Sequence, residues 1–261
     1  MELNNVKLRE RSQKVIAAII SFTVFLCLWQ FSTQGTELGR LLPSPIAVFI
    51  RLIKSFYIPI GTLTITGHML WSLSRVMTGF FIASVLGIIL GLGMGWNRTV
   101  EAIFKPIFEL IRPIPPIAWI SISVLWFGLG ESSKYFIIFL SGFSNITINV
   151  YMGAKAVDPE LVGAARMLGA KRSQLFTTIV IPSSIPYIFT GLQIAISSSW
   201  AAVVAAEMIR STEGVGWLIT SGMGINDTEQ IMVGIVAIGI VGYLLATLMR
   251  EVEAKLCRWT H

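Results

Sequence analysis

Four ionisable side chains fall within or at the edges of otherwise apolar runs: Arg75, Glu109, Arg112 and Glu207. A charge is costly in hydrocarbon, so such residues face a bundle interior or water, and either pair internally or mark a route for a polar solute. An arginine facing such a route attracts an anion. Internal pairing is the alternative reading, and Arg75 has Glu109 and Glu207 as candidate partners. No catalytic set accompanies them. The two histidines, His68 and His261, are too few and too far apart for a histidine-based metal site. There is no HExxH, no GxSxG and no pair of aspartates within an apolar run. Gly91-Leu-Gly-Met-Gly95 lacks the lysine of a phosphate loop and lies inside an apolar run, so the chain does not hydrolyse ATP by itself. The expectation is a non-enzyme with no metal site and no cofactor of its own.

A second concentration of signal is polar and runs from Asp158 to Pro182. Asp158 is suited to cap a helix, Pro159 to occupy its first position, Glu160 to favour the positive end of its dipole, and Gly169 to end it. At helical spacing Leu161, Ala164, Ala165 and Leu168 share one arc, with Arg166 pointing elsewhere. A second helical run, Lys171 to Ile181, leads to Pro182. A short helix with a small-residue face suits insertion into a groove on another protein.

The elements that position these residues follow from composition. Of 261 residues 54% are hydrophobic and 13% charged, against about 25% charged in soluble domains, and the mean hydropathy is +0.74. This is an all-α, polytopic membrane protein. A polar segment, 1–14, precedes a single transmembrane domain, 15–261. Stretches of about 20 apolar residues place six spans near 15–33, 67–96, 113–129, 135–152, 184–206 and 231–249, with a polar loop at 153–182. Ser44 and Pro45 start a short amphipathic helix suited to the interface. Gly79, Gly87, Gly91 and Gly95 recur at four- or eight-residue spacing in the second span, which allows close helix approach. Prolines 113, 115 and 116 break the third span. Cys27 and Cys257 imply no disulfide framework.

Basic residues set the orientation. With the N-terminus inside, the inside segments hold Lys7, Arg9, Arg11, Lys14, Arg98, Lys105, Lys155, Arg166, Lys171, Arg172, Arg250, Lys255 and Arg258. The outside segments hold only Arg40, Arg51, Lys54, Lys134 and Arg210. The excess predicts an N-in, C-in topology with the 158–182 stretch in the cytoplasm. The net charge of +6 therefore reports on membrane topology and not on nucleic acid.

The spacing Ala164-Ala165, Gly169, Ile179 and Pro182 resembles the cytoplasmic loop of permease subunits in bacterial ATP-binding-cassette importers. That family's consensus begins Glu-Ala-Ala; here Gly163 stands at the glutamate position. Leu42-Pro-Ser-Pro45, Ser74-Arg75-Val76, Arg112-Pro-Ile-Pro-Pro116, Trp126-Phe-Gly-Leu-Gly-Glu131, and Ala206-Glu207-Met208 with Gly214-Val-Gly-Trp217 resemble its nitrate, sulfonate, taurine and bicarbonate branch. The resemblance covers about residues 38–260. It implies the MetI-like fold of type I importers and an address in the bacterial inner membrane. It also implies a homodimer, two copies of a separate ATPase that holds ATP and Mg, and an external solute-binding protein. Glu160, Leu161, Gly163, Ala164, Ala165, Leu168, Gly169 and Pro182 would couple to the ATPase, with 160–168 as a rigid lever. Arg75, Glu109, Arg112 and Glu207 are the candidates for lining the path. The implied substrate is a small anion such as an aliphatic sulfonate, taurine, nitrate or bicarbonate. The other readings are a gradient-driven secondary transporter, an intramembrane enzyme, and a permease of this family for an aromatic or pyrimidine-type compound.

Overall fold

The computed structural model describes residues 2–209 and 211–256, with side chains from residue 13 onward except that of Arg40. Arg210, Cys257, Arg258 and His261 lie outside the described residues. The helices are α1 (Glu2–Thr33), α2 (Leu38–Leu41), α3 (Pro45–Ser55), α4 (Ile65–Trp96), α5 (Arg98–Ile111), a 3₁₀ turn (Pro116–Trp119) leading into α6 (Ile120–Phe127), α7 (Glu131–Lys155), α8 (Pro159–Met167), α9 (Arg172–Leu175), a π turn (Phe176–Val180) leading into α10 (Ile181–Glu207), α11 (Val215–Gly224) and α12 (Thr228–Leu256). Among the described residues the only β-type pairing is an isolated bridge between Ile60 and Leu63.

Five helices are long and apolar enough to cross a membrane: Gln13–Thr33, Ile65–Trp96, Glu131–Lys155, Arg172–Glu207 and Thr228–Leu256. A sixth crossing is available if α5 and the 3₁₀–α6 segment, bent by 89° at the proline break, form one broken span. In lipid every backbone group must be satisfied internally, which is why the spanning elements are helices and why the break falls where prolines remove donors.

The chain divides into two compact units. One is the chain up to Ile65 together with Leu218–Ile235. In it α3 starts as its sequence dictates: Ser44 is extended and its Oγ accepts from the Ala47 N–H at 3.3 Å, with Pro45 at the first position. Val48 and Ser55 are buried, and Arg51 pairs with Asp227 at 3.0 Å. Asn226 takes a left-handed φ of 57° at the turn before α12. Gln230 then donates through Nε2 to the Leu218 carbonyl at 2.9 Å.

The other unit is Thr66–Trp217 with the chain from Val236 onward. The glycine row of α4 lies on α7. A Cβ at Gly79 would meet Ile138, at Gly87 Ile146, at Gly91 Val150 and the Thr147 carbonyl, and at Gly95 Ala154. Each of these pairs has the same sequence separation, so α4 and α7 run parallel with their backbones close, as small residues permit. Helix α10 packs antiparallel on α7: Gly142 lies against Ser199 and Ala195, Gly191 against Ile146 and Asn149, and Gly153 against Tyr187. Ser198 joins them, accepting from Asn145 Nδ2 at 2.9 Å. Trp200 of α10 donates to the Ile238 carbonyl at 3.0 Å, and Gly242 leaves room for its indole.

Two boundaries differ from the sequence reading. The segment before the third span is helical: Asn97 caps α5 by accepting from the Thr99 N–H at 2.9 Å, and α5 carries Pro106 within it. The apolar stretch 113–129 is instead a turn and a short helix. Second, the polar loop given as 153–182 ends in helix, because the run that leads to Pro182 joins the span beyond it. Arg172–Glu207 is continuous helix, and the π turn Phe176–Val180 precedes Pro182 and Pro186. A π turn shifts the hydrogen-bond register locally, which accommodates missing proline donors without ending the helix.

Candidate functional site

The charged residues flagged in the spans separate into two environments. Arg75, one turn after Ser72 in α4, is buried and fully engaged. Its Nε and one terminal nitrogen form a two-pronged pair with Glu131 at 2.6 and 2.7 Å. The other terminal nitrogen donates to Glu207 Oε1 at 2.8 Å and to the Glu213 carbonyl at 2.9 Å. Lys134, one turn beyond Glu131, donates to Glu131 Oε1 at 2.8 Å. Glu207 is completely buried; its carboxylate accepts from Ser72 Oγ at 2.8 Å and from the Gly216 N–H at 3.0 Å. Two cations and two carboxylates thus balance, and Arg75 and Glu207, the most deeply buried of them, each have several charge-assisted bonds, the condition under which buried ions are tolerated.

The turn after α10 is shaped around Glu207. Gly214 has φ 112°, a conformation that favours glycine, and any Cβ there would run into the Glu207 carboxylate. A Cβ at Gly216 would meet the Val204 carbonyl and Glu207 Cβ. The Gly214 N–H donates to His68 Nδ1 at 3.1 Å, the Val215 N–H to Ser72 Oγ at 2.9 Å, and Trp217 stacks on His68 at 5.1 Å. The cluster ties the first half of α4, the start of α7, the end of α10 and the 211–217 turn into one joint. Of the two partners open to Arg75 in the sequence, the structure selects Glu207. It adds Glu131 and Lys134, which sequence reasoning did not assign to a site. Their signal was a carboxylate closing the Trp126–Glu131 motif with a lysine three residues on.

Glu109 and Arg112 lie elsewhere. The Glu109 side chain is 62% exposed and only 4.0 Å from Lys105. Arg112, at the end of α5, lines a cavity of about 510 Å³ with Phe104, Phe108, Trp119, Phe143, Asn145 and Ser198 among its walls. This is an apolar cleft with a few polar groups, the usual composition of a small-molecule site. Among the described residues no group of three or more His, Cys, Asp or Glu could hold a metal ion.

The 158–182 stretch carries its caps as the sequence dictates. Asp158 accepts from the Glu160 N–H at 2.8 Å. Gly169 takes φ 82°, its N–H bonding the Arg166 carbonyl at 2.9 Å while Ala170 N–H reaches the Ala165 carbonyl at 3.0 Å. No residue of α8 is buried. Leu161, Met167 and Leu168 are exposed, the last at 89%, and a Cβ at Gly163 would meet nothing within 4 Å. Glu160, Ala164, Gly169 and Pro182 are exposed too, while Ala165 is half-buried. So α8 is a capped helix with its apolar residues uncovered.

Apolar helices long enough to cross a membrane, with a closed ionic joint, an apolar cleft and a bare capped helix on a polar loop, are features of a multi-pass membrane protein. The chain belongs to the family described as binding-protein-dependent transport system inner membrane component, matching it over residues 83–252. It is 35% identical over 255 residues to a putative ABC transporter permease protein of Methanocaldococcus jannaschii, covering 97% of this chain and 96% of that one. It is 35% identical to the taurine transport system permease protein TauC of Escherichia coli, covering 95% and 91%. It is 36% identical to the nitrate import permease protein NrtB of a Synechocystis strain, covering 93% and 90%. The chain is therefore an ABC importer permease subunit of the inner membrane, with the MetI-like fold, and ATP hydrolysis belongs to a separate subunit. Membership removes the gradient-driven carrier and the intramembrane enzyme from the readings above.

Proposed function

We propose that two copies of this chain form the path for a small anion such as taurine, another aliphatic sulfonate, nitrate or bicarbonate. Two ATPase subunits would dock on α8 and a solute-binding protein would deliver the solute outside, with both permease termini in the cytoplasm. The observation that carries the coupling half is α8 itself: capped at both ends, uncovered, and positioned on the most basic loop. Glu160, Leu161, Gly163, Ala164, Ala165 and Leu168 would form the docking surface, Gly169 the turn that transmits motion, and Pro182 a point on the continuous helix that receives it. With Gly163 in place of the usual acid, docking rests on shape. Arg75 and Glu207 would serve the path as a joint between spans. Arg112, on the wall of the cleft, is the residue of the four best placed to meet an anion, and Glu109 is peripheral.

The test is uptake and ATP hydrolysis in proteoliposomes carrying the assembled transporter. Replacing Leu168 by Asp should leave insertion and thermal stability intact, because that residue is 89% exposed, yet reduce coupled ATPase activity at least tenfold. Normal uptake by Leu168→Asp would sink the assignment. A second reading of the substrate, an aromatic compound, is favoured by the Phe104, Phe108, Trp119 and Phe143 walls of the cleft. A panel of anionic and neutral aromatic solutes against the delivery protein separates the two.

A further inference from the structure

At the junction of α4 and α5 a surface cavity of about 430 Å³ is lined by Trp96, Asn97, Arg98, Thr99, Arg166 and Arg172. Three guanidinium groups from three elements, the first residue of α5, the last turn of α8 and the first residue of α9, converge on it, and no lining residue is acidic. Glu101, in the first turn of α5, is held by Lys155 at 2.6 Å with Lys105 at 3.8 Å. Arg172 lies over the Trp96 ring at 5.8 Å, and Trp96 meets Phe176 at 5.8 Å, so one wall is a supported aromatic plane. The start of the 14-residue α5 adds the positive end of a helix dipole. Trp96 is also the last residue of a 32-residue apolar helix, the depth at which lipid headgroups and tryptophans meet. Basic pockets at this depth take phosphate-bearing headgroups.

We propose that this cavity binds a phosphate group, supplied by the headgroup of an anionic phospholipid or by free phosphate. The bound group would bridge α8 and α9 to the α4–α5 junction, stiffening the loop that carries the docking helix. The inference is independent of the transported solute and of the ATPase. It is tested on the full-length chain in detergent micelles by native mass spectrometry with added phosphatidylglycerol or phosphatidylcholine, and by calorimetric titration with inorganic phosphate. The expected result is a preference of roughly tenfold or more for phosphatidylglycerol, given three cations at the surface. That preference should be lost in R98Q/R166Q/R172Q and kept in K255Q, with monodisperse elution confirming that each variant folds. Phosphate binding that is lost in the same triple variant, without lipid preference, assigns the source to the free ion. Equal retention of both lipids with no phosphate binding overturns the proposal. So does a triple variant that binds like the parent chain.

Discussion

Replacing Glu207 by Gln isolates the charge of the buried joint from its shape. The amide keeps the length of the side chain but turns one acceptor oxygen into a donor. One oxygen now accepts from Arg75 and the other from the Gly216 N–H, so either amide orientation sets a donor against a donor. Arg75, itself 1% exposed, also loses its inner counter-charge. Breaking a buried pair by removing one partner costs about 3–5 kcal/mol. At roughly 2–4 °C per kcal/mol for chains of this size, the midpoint of thermal unfolding in detergent should fall by on the order of 10 °C. Glu131→Gln is the control. The Glu131 side chain is 38% exposed, so water can take over part of its role and Arg75 keeps Glu207. Its cost should be about 1–2 kcal/mol, a fall of only a few degrees. Scanning fluorimetry of the two variants under identical conditions decides the matter. A Glu207→Gln shift below that of Glu131→Gln would refute the reasoning that burial, and not the number of bonds, sets the weight of each acid.

Two further outcomes follow from packing and from the first unit. Gly91→Ala should lower the unfolding midpoint by the equivalent of about 1–3 kcal/mol of overpacking, because its Cβ meets Val150 and the Thr147 carbonyl within 3 Å. Gly93→Ala, whose Cβ meets only Val100 Cγ1 at 3.5 Å, should be neutral or stabilising by up to about 1 kcal/mol; the same fluorimetry checks both, and equal effects would contradict the α4–α7 register. The Arg51–Asp227 pair, with side chains 36% and 26% exposed, should show a coupling of only about 0–1 kcal/mol in a double-mutant cycle of Arg51→Gln and Asp227→Asn.

Local chemistry was legible wherever the interacting groups are neighbours in sequence. The caps of α3 at Ser44 and of α8 at Asp158, and the left-handed turn at Gly169, follow from residues within three or four positions of each other. The glycine row of α4 announced a close helix contact by its spacing alone. At Pro182 the helical run leads on into the next span through a π turn five residues long, a register change that no residue type announces. The break in the third span does fall at the prolines before α6, while Pro106 is carried inside α5.

The site was legible only in its ingredients. A charged residue in an apolar run must be compensated, and the sequence alone required Arg75 to have an acidic partner. Glu109 and Glu207 were equally open to it, and Glu131 read only as the end of a motif. Choosing among them depends on which faces of α4, α7 and α10 meet, and that is set by the packing of Gly79, Gly87, Gly91, Gly95 and Gly142 against side chains more than fifty residues away. Composition and periodicity thus determine that this chain spans a membrane and where the capped helices α3 and α8 begin, since these are properties of segments in a solvent. The tertiary structure alone decides that Glu207 is enclosed by Ser72, Arg75 and the Gly214–Gly216 turn, because a buried charge is stabilised by whatever the fold brings within 3 Å of it.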